Sequence, residues 1–161
     1  TIYEPLEPSV YSLGGIVLAA AMIIVAKYYY KILNAYYFFR ISLAVEVIVL
    51  AMLVAFLIFS YSYQIALLIY IGYQITFVFG SYLVRAETLV FKEDSVLTKI
   101  DMAKQIGYLV GMATSYAFYK SVEHFDLLSE KQEQVYYIHF LLVAIELMVI
   151  ILLWKAFNYK R

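Results

Sequence analysis

Five long apolar stretches, at positions 9–33, 41–59, 65–84, 102–119 and 135–154, constrain this chain more than any other feature. A helix needs roughly 20 apolar residues to cross the hydrocarbon of a bilayer, and each stretch reaches or approaches that length. The runs are continuous rather than alternating. Strands are therefore disfavoured, since an open sheet in lipid leaves backbone groups unpaired. The chain is 65% hydrophobic and 15% charged over 161 residues, whereas a soluble domain is nearer half apolar and a quarter charged. One small core cannot hide that excess, so lipid is the expected solvent. The expected fold class is an all-α integral membrane protein, a single membrane domain over 1–161 with five transmembrane helices.

Composition changes at the flanks agree with these boundaries. Pro5 and Pro8 precede the first run, Arg40 the second, and the Tyr61-Ser62-Tyr63 turn the third, while acidic segments at 91–101 and 123–134 precede the fourth and fifth. Five spans place the termini on opposite sides, and the basic residues then sort. Lys27, Lys31, Arg40, Arg85, Lys92, Lys99, Lys104, Lys155, Lys160 and Arg161 fall on one face, ten of the twelve Lys and Arg. Lys120 and Lys131 fall on the other, with Glu4, Glu7, Glu123, Asp126, Glu130 and Glu133. Because cytoplasmic loops are enriched in Lys and Arg, this puts the N-terminus outside and the C-terminus in the cytoplasm. The expected location is a cell membrane, specifically a bacterial inner membrane. Eighteen tyrosines, many at span ends, fit anchoring at the headgroup level better than a nucleic-acid platform. The chain begins at Thr1 and reads as processed, trimmed or part of something longer. Its start, with Glu4 and Glu7, lacks the basic segment of a cleavable signal.

Several function classes have little support. A net charge of zero offers nothing to attract nucleic acid. With no cysteine there are no disulfides, thiolate zinc sites or iron–sulfur clusters. Two histidines, His124 and His139, do not suggest a bis-histidine haem, and no metal or other cofactor is expected. The GYLVG stretch from Gly107 to Gly111 has no following lysine and lies mid-span, so it is not a phosphate loop. No catalytic set is visible, and the chain is not expected to be an enzyme.

Small residues mark close helix contacts in lipid, where hydrophobic drive between helices is weak. Gly72, Thr76 and Gly80 in the third span, and Gly107, Gly111 and Ser115 in the fourth, recur at four-residue spacing, and Gly15 and Ala19 stand in the first. This predicts that spans one, three and four meet while the aliphatic second span faces lipid. Polar stripes on the third span (Tyr70, Gln74, Ser81, Arg85) and the fourth (Asp101, Gln105, Tyr108, Ser115) either line an aqueous cavity or hold the bundle by hydrogen bonds.

Glu46 and Glu146 are the carboxylates well inside spans. Each must be protonated, paired or facing water, because an unpaired charge there costs roughly 2.5 kcal/mol or more. Glu46 lies six residues after Arg40, about 9 Å along a helix, within reach of the interface. Glu146 sits mid-span, with His139 seven residues earlier on the same face. That spacing suits a proton relay or cation site, although about 10 Å is too long for a direct hydrogen bond. A contact between Glu146 and a neighbouring helix is the alternative. Arg85, Glu87, Asp101 and Lys104 form either a charge cluster or a solvated loop.

The basic connection AKYYYKILNAYYFFR, then SYLVRAETLVF and TKIDMAKQIGYLVGMATSYAFYK, resemble one half of a major facilitator superfamily transporter lacking its first helix. The Asp-Arg and Gly-Arg elements of that family's basic loop are absent here. The resemblance implies alternating access, with the third and fourth spans lining the path and Gln74, Arg85, Gln105 and Tyr108 as substrate or ion-path residues. It places Glu146 on a peripheral helix and requires the transporter's other half. The expected function is thus a transporter segment moving a small solute, with other membrane helices as partners. A non-catalytic subunit of a membrane complex and an oligomeric channel or proton path built on Glu46 or Glu146 are the alternatives.

Overall fold

The computed structural model describes residues 6–59, 62–125, 128 and 130–158. Pro5, Tyr61, Lys160, Arg161, Glu4 and Asp126, used above, lie outside them. The described residues form helices without strands: α1 (Pro8–Lys27), α2 (Tyr29–Ile32), α3 (Ala35–Phe59), α4 (Tyr63–Val90), α5 (Asp94–His124) and α6 (Lys131–Asn158). Local chemistry sets several of these ends. Pro8 opens α1, where its missing N–H is no loss. Ser62 caps α4 by accepting from the Ile65 N–H at 3.3 Å. Asn34 serves two helices: its amide donates to the Lys31 carbonyl at 2.9 Å, and its oxygen accepts from the Tyr37 N–H at 3.1 Å. The first span, expected to run to residue 33, instead breaks at Tyr28 and resumes as the single turn of α2.

Four helices, α1, α3, α4 and α6, are long and apolar enough to cross a membrane. The fourth expected span, 102–119, lies inside the 31-residue α5, which is ample in length but does not match the other four in apolar composition. Lys104, Gln105 and the Ser, Thr and Tyr residues of its second half dilute it.

Packing reverses one expectation. The second span, α3, is not peripheral: it lies between α4 and α6, while α1 packs on the far side of α4. Shape explains this. Gly72 of α4 receives the Met52 side chain of α3, so closely that a Cβ would collide with the Met52 sulfur. Phe56 and Tyr82 are completely buried, with Met52, Ile65, Ala66 and Ala86 nearly so. Tyrosine hydroxyls tie the helices by donating to backbone carbonyls: Tyr70 to Tyr11 (3.2 Å), Tyr82 to Ile32 (2.8 Å) and Tyr136 to Leu57 (3.3 Å). These three serve as interhelix ties as well as polar ends on apolar bodies.

The contacts define two ends. At one, Phe38 meets Phe91 and Phe157, and Phe39 stacks on Phe157 at 4.6 Å. At the other, Tyr136 reaches Leu57 and Tyr70 reaches Tyr11. Hence α4 stops at the end opposite to where α6 starts, and α5 runs the length between them, about 46 Å at 1.5 Å per residue. Among the described residues, Lys27, Lys31, Arg40, Arg85, Lys92, Lys99, Lys104 and Lys155 gather at or toward the first end. Glu7, Lys120, Glu123, Glu130, Lys131 and Glu133 gather at the second.

Candidate functional site: a carboxyl pair between two apolar helices

The antiparallel α3–α6 seam can be read level by level. Phe39 lies against Trp154 and Phe157 near one end, with ring centroids 6.1 and 4.6 Å apart. Phe56 lies against His139 near the other, at 4.0 Å. Between these levels Glu46 and Glu146 face each other, and the Glu46 side chain is within hydrogen-bonding reach of the Glu146 carboxyl. The Oε1 atom of Glu146 is buried with no partner among the described residues. Two carboxylates this close repel each other when both are ionised, so the pair is suited to holding a positive charge between them. A proton held between them removes the repulsion and supplies a donor for the hydrogen bond. A cation between them would do the same.

His139 is not the partner of Glu146. Its Nδ1–H donates to the Val135 carbonyl at 2.7 Å, which leaves Nε2 as the free ring nitrogen. The ring packs on Phe56 and borders a cavity of about 170 Å³ with Met52 and Tyr73. Arg40 does not neutralise Glu46 either. It turns toward its own helix, donating to the Tyr36 hydroxyl at 2.6 Å with its guanidinium over that ring. Among the described residues, no basic side chain forms an ion pair with either carboxyl.

The other expected path residues do not converge. Gln74 lines an apolar cleft of about 300 Å³ between α1 and α4, and its Oε1 is buried without a partner among the described residues. Gln105 borders an open groove on α5 with Asp101 and Met102, and Tyr108 is 72% exposed. Among the described residues, Ser81 and Arg85 of the α4 stripe border one groove and Asp101 and Gln105 of the α5 stripe border a separate one. The Arg85–Glu87–Asp101–Lys104 cluster forms in part: Lys104 pairs with Glu87 at 2.7 Å and lies 3.6 Å from Asp101, tying α5 to α4. Arg85 instead sits over the Tyr29 ring at 5.7 Å. Of the four glycines expected to pack helices, Gly72 meets Met52, while a Cβ at Gly80, Gly107 or Gly111 would meet nothing within 4 Å among the described residues.

The residue missed by sequence reasoning is Glu46 as the partner of Glu146. The available signal is chemical rather than periodic: two carboxyls, each inside a long apolar run, both call for a partner, and each can be the other's. Among the described residues, no group of three His, Asp or Glu side chains is arranged to hold a metal ion. Comparison with protein-family models, curated proteins and solved structures finds no match.

Proposed function

We propose that this chain is a membrane-embedded transport element in which the Glu46–Glu146 pair binds and releases a proton or a small monovalent cation. The carrying observation is that two predominantly apolar spans each place their single interior carboxyl at the same level of their shared seam. Carboxyls inside a bilayer are costly, and they recur where protons or ions move. In this reading α5 is a fifth crossing, with the N-terminus outside and the basic end of the bundle in the cytoplasm. That α5 runs between opposite ends of the bundle, and that the basic residues cluster at one of them, supports it. The exposed middle of α5 is where further membrane helices, such as a second transporter half, would cover Gly107, Gly111, Gln105 and Tyr108. No enzymatic chemistry is proposed.

Two measurements test the pair. In lipid vesicles at neutral pH, infrared spectroscopy should show a protonated-carboxyl band that both Glu46→Gln and Glu146→Gln remove. In vesicles carrying a trapped pH dye, a membrane potential should drive proton entry, and either substitution should lower it about a hundredfold, the lower end of the range for losing one proton-transfer group. Wild-type proton entry in both variants would remove the pair from transport. A non-catalytic subunit, whose α5 face meets a larger partner, is the reading that would then remain.

A further inference from the structure

We infer that the Arg85 face of α4 is a binding site for an anionic phospholipid of the leaflet at the basic end of the bundle. An open groove of about 700 Å³ runs along this helix from Phe77 through Gly80, Ser81 and Val84 to Arg85 and Thr88. Positions 77, 81, 84 and 88 share one face at helical spacing, with Gly80 and Arg85 beside it. Gly80 leaves space rather than filling it, since a Cβ there would meet nothing within 4 Å among the described residues.

The groove is amphipathic along its length. Arg85 lies five residues before the end of α4, about 7 Å from it, which is headgroup depth. Phe77 lies about 12 Å further in, where an acyl chain runs. The polar end has donors to spare. Among the described residues Arg85 has no carboxylate within ion-pair distance, and the nearest acid in sequence, Glu87, is already paired with Lys104. The Arg85 guanidinium is held over Tyr29, and the Ser81 hydroxyl, one turn before it, makes no hydrogen bond of its own among the described residues. Thr88 is occupied, donating to the Val84 carbonyl at 3.0 Å. Lys27, Lys31 and Lys92 at the same end, which form no ion pair among the described residues, add positive charge. A phosphate with an attached acyl chain meets all of these conditions, whereas a soluble anion would leave the apolar length of the groove unused. Basic sites at the cytoplasmic ends of membrane helices favour anionic headgroups for the same reason.

The test is lipid binding to the purified full chain in detergent, read by mass spectrometry of intact complexes. Phosphatidylglycerol, phosphatidylcholine and water-soluble glycerol phosphate serve as probes. Expected is tighter binding of phosphatidylglycerol than of phosphatidylcholine, and about a fivefold loss in Arg85→Gln, the value of one basic group near the surface. Arg85→Lys should retain the preference. Gly80→Leu, which fills the groove without touching the guanidinium, should weaken phosphatidylglycerol binding in a chain that still folds. Equal binding of the two lipids, equal phosphatidylglycerol binding in wild type and Arg85→Gln, or binding of glycerol phosphate as tight as that of the lipid would each overturn the site.

Discussion

The α3–α6 seam and the middle of α5 are similar in length and opposite in character. The α3 helix, which carries one ionisable residue from Ile41 to its end, is among the most apolar segments of the chain and lies at its centre. The α5 helix is the least apolar of the long helices, yet residues 101–114 are exposed throughout. In a soluble protein this order would be inverted. In lipid, apolarity does not decide which helices are central, because hydrocarbon solvates an aliphatic face as well as another helix does. Interlocking shape decides it: Met52 into Gly72, Phe56 against His139, Phe39 against Phe157. On α5 the ion pairs lie toward its two ends, at Lys104 with Glu87 and Asp101 and at Lys120 with Glu123, while Tyr108 and Tyr116 between them are exposed.

Substitutions on the two regions should therefore differ most where shape is most constrained. Phe56→Ala empties a fully buried position, and unfolding in detergent micelles should register about 3 kcal/mol of lost stability. Tyr116→Ala, at a position 66% exposed on α5, should stay within about 0.5 kcal/mol. Comparable losses at both would mean that α5 is as tightly packed as the seam. A glycine pair sharpens the contrast. Gly72→Leu forces the added side chain into Met52 and should cost about 2 kcal/mol, the middle of the range for overpacking. Gly107→Leu should be tolerated by the isolated chain and should matter only where a partner covers α5. Loss of stability at Gly107 in the purified monomer would break the distinction.

The smallest effect belongs to the far end of α5. A 2.6 Å bond from Lys120 to Glu123 holds the Glu123 carboxyl below its ordinary range and the Lys120 ammonium above its own. The sign follows: any stabilisation from Glu123 is present at neutral pH and fades on acidification through its lowered pKa, and that from Lys120 fades at alkaline pH. Both groups are fully exposed to solvent, so Glu123→Gln should leave the unfolding midpoint at neutral pH unchanged. A clear shift would show that this end of α5 is held more firmly than its exposure implies.

The same contrast explains what could be read from residues alone. The runs at 41–59, 65–84 and 135–154 lie inside α3, α4 and α6, but each helix extends beyond its run by up to six residues at an end, where charged and aromatic residues continue the backbone hydrogen bonding. The break at Tyr28 is not legible in the sequence, because Tyr28, Tyr29 and Tyr30 continue the aromatic run and differ only in backbone angle. Spans one and three meet as expected, in the packing of α1 on α4, but the places of α3 and α5 differ from expectation because four-residue glycine spacing occurs equally on α4 and α5. Among the described residues of those two stripes, Gly72 is the glycine against which another helix presents a side chain of matching shape, and spacing cannot reveal that. Glu46 and Glu146 were each recognisable as costly, but one hundred positions separate them in the chain. Their meeting is a property of the antiparallel seam.

That seam can be probed directly because the chain has no cysteine. Glu46→Cys combined with Glu146→Cys supplies two thiols and no background, and a short bifunctional thiol reagent can be applied in native membranes. Facing carboxyl positions require a cross-link within a single chain, formed rapidly and absent from either single variant. If the double variant stayed unlinked, or linked only between chains, α3 and α6 would not present these residues to each other, and the shared proton or cation site would have no structural basis.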